Sequence, residues 1–168
     1  ERNQTWRDPI VFWNDAVQKT PQSARAYNML GASYLNQHHY PLAIKSLERA
    51  IDLEPHMAEA YINLATVYMN TGDTEKAIST FKYVLKLAPR AHYAYNNLGV
   101  LYAAKMEYQE AKDLYLKAIH YKSDYAVAHY NLGSLYLKRN QAHKAIKRLK
   151  KAIEINPEFA DAYSNLGQ

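Results

Sequence analysis

The sequence predicts an all-α protein: an α-solenoid, a right-handed superhelix of stacked antiparallel helix pairs. Residue types recur with a period of 34 along nearly the whole chain, and apolar residues within each period lie three and four positions apart. Small residues recur at fixed positions, where two helices can approach each other closely. Because one helix pair cannot bury its apolar stripes alone, neighbouring pairs are expected to stack.

The first helix of each repeat carries a regular series of core positions. An aromatic residue is followed by leucine, a small residue and then tyrosine, and these positions share one helix face. We therefore assign most tyrosines to packing rather than to a ligand site. The aligned residues are Tyr27, Tyr61, Tyr95, His129 and Tyr163; Leu30, Leu64, Leu98, Leu132 and Leu166; Gly31, Ala65, Gly99, Gly133 and Gly167; and Tyr34, Tyr68, Tyr102 and Tyr136.

The second helix of each repeat carries small residues that face the first helix, and the repeat closes with proline. The small series are Ala43, Ala77, Ala111 and Ala145, then Ala50, Val84, Ala118 and Ala152; the closing residues are Pro55, Pro89, Ser123 and Pro157. Only Gly72 occupies the turn between the paired helices, so the turns with His38, Met106 and Asn140 should be less sharply specified. The predicted helices span 24–37 and 40–53, 58–71 and 74–87, 92–105 and 108–121, 126–139 and 142–155.

The repeats are expected to form a single array over residues 1–168. Residues 1–23 are the second helix of a preceding repeat, with Asp8 as its cap, Pro9 in its first turn and Trp6 at the position of Tyr40. The complete repeats are 24–57, 58–91, 92–125 and 126–159, and residues 160–168 begin a further first helix. The chain starts without methionine and ends within a repeat, which indicates a fragment. Its terminal helices, containing Trp13 and Tyr163, are expected to self-associate weakly end to end.

This pattern resembles the tetratricopeptide repeat, in which an aromatic residue, Leu-Gly, Tyr, Ala, a bulky residue, Ala and Pro stand at fixed offsets. The resemblance covers nearly the whole chain. It implies that the first helices line a groove and that the chain binds a protein or peptide rather than catalysing a reaction.

Composition and residue placement exclude several other classes. The chain is 48% hydrophobic with a formal net charge of +5, has no cysteine, and shows no histidine spacing typical of a metal site. No serine lies beside a histidine and an acid, and no glycine-rich phosphate loop exists, so we predict no enzymatic activity and no cofactor. No segment is apolar enough to insert into a membrane. Basic residues lie mostly on second helices, which favours a solvated face over nucleic-acid binding; the densest group is Lys144, Lys147, Arg148, Lys150 and Lys151.

An asparagine row is the strongest candidate binding feature. The residues directly before the leucine series are Asn63, Asn97, Asn131 and Asn165. This position lies about 200° around the helix from the core tyrosine, so it is expected to face the groove. Amides both donate and accept hydrogen bonds, so the row can pair with the backbone of an extended polypeptide whatever its sequence. The alternatives are a solvated polar residue or one that bonds a neighbouring helix.

Further residues are expected around this row. In the first complete repeat the asparagine is displaced by one position, to Asn28, and Asn96, Tyr93, Tyr130 and Met69 are expected to supply side-chain pockets. The row resembles the superhelical repeats of O-linked N-acetylglucosamine transferase, in which matching asparagines hold substrate polypeptides. Residues 94–99, Ala-Tyr-Asn-Asn-Leu-Gly, carry that likeness.

The opening segment has a second resemblance, to the junction in multi-pass membrane mannosyltransferase-like proteins. It rests on Arg2, Asn3, Trp6, Asp8, Trp13, Pro21 and residues 24–27. In those proteins the repeats follow the last membrane helix on the extracytoplasmic side. The resemblance implies a substrate-presenting or regulatory tail of a membrane glycosyltransferase. A self-assembling scaffold and a cytoplasmic location remain alternatives.

Overall fold

A computed structural model describes residues 8–167, which form ten α-helices and no strand. Trp6, Arg2 and Asn3 lie outside the described residues. The all-α prediction is confirmed, and each predicted helix of the complete repeats matches the observed one to within one residue. The helices are α1 (Pro9–Lys19), α2 (Ala24–Asn36), α3 (Tyr40–Leu53), α4 (Ala58–Asn70), α5 (Thr74–Leu87), α6 (His92–Ala104), α7 (Tyr108–Tyr121), α8 (Ala126–Lys138), α9 (Ala142–Ile155) and α10 (Ala160–Leu166).

The chain divides into two compact units, one ending at Ala88 and one beginning at Pro89. The first contains α1 to α5 and the second contains α6 to α10. Within each unit, a first helix packs against the second helix of its own repeat and against a neighbouring first helix. A single array and a right-handed superhelix over the whole chain stay predictions.

Close helix approach explains the small residues that follow the leucine series. A Cβ atom added to Gly31 would lie 2.6 Å from Leu47 Cγ, and one added to Gly133 would lie 2.8 Å from Leu149 Cγ. Both distances are shorter than van der Waals contact, so neither position has room for a methyl group. At Gly99 the neighbour is the ring of Tyr115, at 2.6 Å.

The tyrosines of the repeat pack at the margins of these cores. Tyr34 and Tyr68 are partly buried against one cluster in the first unit, and Tyr102 and Tyr136 against another in the second. The Tyr95 hydroxyl donates to the carbonyl oxygen of Pro89 at 3.2 Å. These contacts confirm a packing role for these five tyrosines.

All four turns between paired helices adopt the left-handed conformation at one residue. The φ angle is 60° at His38, 80° at Gly72, 62° at Met106 and 55° at Asn140. This geometry lets the next amide bond back across the helix end, as when Glu107 N–H donates to Tyr102 O at 3.0 Å. The turn is therefore equally defined without glycine, but a side chain at this φ is strained.

Met106→Gly is expected to raise the free energy of unfolding by about 0.5 to 1 kcal/mol, because glycine removes the left-handed strain and Met106, 74% exposed, loses little packing. Chemical denaturation would measure the change. The matched control is Gly72→Ala, which imposes the same strain on the aligned turn and should destabilise. A destabilised Met106→Gly protein would show that the methionine side chain stabilises this turn.

Candidate functional site

The asparagine row makes a direct contact between neighbouring first helices in the first unit. Asn63 on α4 donates through Nδ2 to Oδ1 of Asn28 on α2, at 2.9 Å. Asn28 is only 8% exposed, whereas Asn63 is half-buried. The buried amide therefore holds the outer one in a fixed orientation.

The same arrangement recurs in the second unit. Asn131 on α8 donates through Nδ2 to Oδ1 of Asn96 on α6, again at 2.9 Å, and Asn96 is 2% exposed. Asn96 in turn donates to Oδ1 of Asn97 at 3.3 Å. Asn165 on α10 donates to Oγ of Ser134 on α8 at 2.9 Å. Three members of the row thus bond a neighbouring first helix, the alternative that the sequence left open.

The side-chain amides of Asn63 and Asn131 can form more hydrogen bonds than these. An asparagine side chain has two N–H donors and an oxygen with two lone pairs. Within residues 8–167, Asn63 and Asn131 each use one N–H only. The second N–H and the oxygen of each side chain remain for a ligand.

Asn28 and Asn96 were expected to contact a ligand, but the structure places both in the interior, where they orient Asn63 and Asn131. Sequence reasoning missed this role. The signal was present in the spacing, because each bonded pair is 35 residues apart, one more than the repeat. That spacing places a residue beside its neighbour on the adjacent first helix.

An open concavity of about 470 Å³ in the second unit brings several of these residues together. Val100, Ala103 and Leu135 form apolar parts of its wall, and Lys138 is the charged residue. Burial raises the pKa of the Tyr115 hydroxyl above its usual value. The remaining lining residues are Ala104, Tyr115, Tyr130, Asn131, Ser134 and Asn165.

The other expected pocket residues are distributed unevenly. Tyr130 lines this concavity, and its ring packs against that of Phe159 with the ring centroids 4.9 Å apart. Tyr93 and Asn97 are half-buried on α6 and do not belong to the wall of this concavity. Met69 is half-buried on α4 in the first unit. The structure thus brings Tyr130, Asn131 and Asn165 into one concavity.

Residues 8–167 contain no group of three histidine, aspartate or glutamate side chains placed to hold a metal ion. None of their helices has the length and apolar character needed to cross a membrane.

Family models match the chain over most of its length. Models described as tetratricopeptide repeat match residues 30–96, 93–121 and 114–147, and one described as TPR repeat matches residues 133–168. No curated protein matches the sequence.

Solved structures of similar proteins show the same fold. The crystal structure of MamA is 26% identical, covers 90% of this chain and 89% of its own, and superposes with a TM-score of 0.75. TTC0263, a thermophilic TPR protein in Thermus thermophilus, is 21% identical with coverages of 95% and 89% and a TM-score of 0.81. YrrB, a TPR protein with an unusual peptide-binding site, is 23% identical with coverages of 95% and 82% and a TM-score of 0.72.

The family models and the solved structures indicate the same general function. Proteins built of these repeats are generally non-catalytic scaffolds, and the chain is a protein–protein interaction module. By its repeat sequence and its helix-pair architecture, the chain belongs to the tetratricopeptide-repeat family.

Proposed function

We propose that this chain binds an extended polypeptide along its first helices, with the amides of Asn63, Asn97, Asn131 and Asn165 bonding the ligand backbone. One observation supports this most strongly: the paired amides of Asn28 with Asn63 and Asn96 with Asn131 recur in both units with the same 2.9 Å bond. Each pair leaves one N–H and one oxygen of the outer asparagine available.

Preorganisation favours such a ligand. An amide already fixed by a buried partner loses less conformational freedom on binding than a mobile side chain. Within the second unit, α6, α8 and α10 each carry one amide of the row. First helices packed about 8 to 10 Å apart would present one amide for about every three residues of an extended chain, which rises about 3.3 Å per residue. The row therefore suits main-chain recognition.

The concavity of the second unit adds side-chain preference. Val100, Ala103 and Leu135 offer apolar contact to one ligand side chain, and the ring of Tyr130, packed against Phe159, forms another part of the wall. Lys138 adds positive charge to the same wall. We propose that a ligand residue with a small apolar side chain, near an acidic residue, occupies this concavity.

Backbone recognition predicts a specific response to changes in the ligand. For a peptide selected against the purified protein, scrambling residues outside the segment that enters the concavity should change the dissociation constant less than about fivefold. N-methylation of backbone amides that contact the row should weaken binding by about tenfold for each lost bond to an asparagine oxygen. Calorimetry would measure both. Equal losses from scrambling and N-methylation would assign recognition to side chains instead.

Two alternatives from the sequence remain proposals. A substrate-presenting or regulatory tail of a multi-pass membrane glycosyltransferase would use the same groove, and transmembrane helices encoded upstream of Glu1 would support it. A self-assembling scaffold requires weak contacts between terminal helices, and α1 carries the exposed side chain of Val11 for such a contact. The paired asparagines favour peptide binding over the scaffold, and they are compatible with the glycosyltransferase tail as well.

A further inference from the structure

A second cavity, of about 520 Å³, lies between α7, α8 and α9 of the second unit and does not share residues with the asparagine concavity. Four of its eight lining residues are lysine or arginine. Lys151 is neutralised by Glu154, whose Oε1 lies 2.6 Å from the lysine Nζ. The lining residues are Ile119, Ser123, His129, Lys147, Arg148, Lys150, Lys151 and Glu154.

Three of these cations have no acidic partner. Within the described residues, Lys147, Arg148 and Lys150 form no salt bridge. Like charges grouped around one recess repel each other and raise the local positive potential. The recess is therefore complementary to an anion.

His129 gives an independent indication of a ligand. It replaces the tyrosine found at this position in the other repeats, and it is only 4% exposed. Its Nε2 lies 3.0 Å from the carbonyl oxygen of Ser123, much as the Tyr95 hydroxyl lies 3.2 Å from that of Pro89. Because a carbonyl only accepts, Nε2 must carry the proton.

The histidine differs from tyrosine in its second nitrogen. His129 Nδ1 is buried and has no hydrogen-bond partner among the described residues. A buried polar atom without a hydrogen-bond partner destabilises a fold. A tyrosine at this position could make the same bond to the backbone and would leave no such atom. Packing alone thus gives no reason for histidine here.

We propose that this cavity binds a tetrahedral oxyanion, a phosphate or sulfate group, through Lys147, Arg148 and Lys150. His129 takes up a proton at Nδ1 as the anion enters, because the negative charge of the anion stabilises the imidazolium that Arg148 and Lys151 disfavour. The planar guanidinium of Arg148 suits paired oxygens, and the lysines supply point charges. A doubly charged tetrahedral group fits three unpaired cations better than a single carboxylate does.

Proton uptake follows from the surroundings of the ring. Burial lowers the pKa of His129, the Ser123 carbonyl raises it, Arg148 and Lys151 of α9 lower it, and Glu154 raises it. The ring is thus neutral near pH 7 in the free protein. A bound anion opposes the effect of the two cations, so the pKa rises in the complex. Affinity should therefore increase as pH falls from the higher pKa of the complex to the lower pKa of the free protein.

Titration with sulfate tests the proposal, because the charge of sulfate is constant over this pH range. Sulfate should bind more tightly than chloride at equal ionic strength, with affinity rising as pH falls. Arg148→Gln and Lys147→Gln should each weaken binding about tenfold, the loss expected for one charge-assisted hydrogen bond. The matched control is Lys144→Gln on the same helix, because Lys144 lines a different cavity. It should leave sulfate binding unchanged.

His129→Tyr separates the role of the ring from that of the surface charge. Tyrosine occupies the aligned position in other repeats, so the variant should fold, and it should lose the pH dependence of sulfate binding. Parallel titrations with inorganic phosphate and with a phosphoserine peptide would show which source of the anion binds more tightly. Equal binding of sulfate and chloride, an equal loss in Lys144→Gln, or an unchanged pH profile in His129→Tyr would each overturn the proposal.

Discussion

Leu149→Ala is expected to lower the free energy of unfolding by about 3 kcal/mol, because it leaves a cavity that its neighbours fill only in part. Leu149 is fully buried and forms a core cluster with Ala152 and Ala162. The matched control is Ile146→Ala on the same helix. Ile146 is 43% exposed, so its loss should cost less than about 1 kcal/mol in chemical denaturation.

A second substitution tests the close approach of α8 and α9. In the parent, Gly133→Ala should destabilise by about 1 kcal/mol, because overpacking against Leu149 outweighs the better helix propensity of alanine. In the Leu149→Ala background the obstructing side chain is absent, so Gly133→Ala should stabilise instead. The same loss in both backgrounds would contradict the explanation of the small residue at this position.

Combined replacement of Asn63, Asn97 and Asn131 by alanine should weaken binding of a selected peptide about a hundredfold. Each amide contact contributes about 1 kcal/mol net, because it replaces bonds to water, and about 3 kcal/mol corresponds to two decades in the dissociation constant. Replacing the exposed Asn36 and Asn70 by alanine is the matched control and should leave the affinity unchanged. Calorimetry at a temperature where every variant is folded would measure the difference.

The same triple variant should also lose stability. Removing Asn63 and Asn131 leaves the oxygens of Asn28 and Asn96 buried without their partners, at a cost of about 1 to 3 kcal/mol each. Adding Asn28→Ala and Asn96→Ala removes those orphaned groups, so the five-residue variant should regain part of this stability. It should still bind weakly. If the five-residue variant regained both stability and peptide binding, the asparagines would have a structural role only.

The repeat fold could be predicted from sequence because its determinants are local. Glycine at positions 31 and 133, tyrosines at regular offsets and apolar intervals of three and four all follow from one helix packing on the next. The helix bounds matched for the same reason. The left-handed φ angle of Met106 is set by the geometry of the helix end and not by the residue type. The absence of glycine therefore indicated a less sharply specified turn than the structure has.

The candidate site was less predictable because it depends on neighbouring helices. A helical wheel places Asn63 on the outer face of α4, but it does not reveal that Asn28 on α2 lies within hydrogen-bonding distance. Likewise, the unpartnered Nδ1 of His129 depends on which nitrogen reaches the backbone of the preceding loop. Contacts between separate helices decide both cases, and residue spacing alone does not specify them.

The most direct test of backbone recognition is an NMR measurement of intermolecular nuclear Overhauser effects in a complex with a selected peptide. The protein would carry ¹⁵N-labelled asparagine, and the peptide would be unlabelled. We expect the side-chain amide protons of Asn63, Asn131 and Asn165 to show effects to backbone protons of the peptide. Effects confined to the exposed Asn70, Asn140 or Asn156, or their absence from the row in a saturated complex, would contradict the proposed groove.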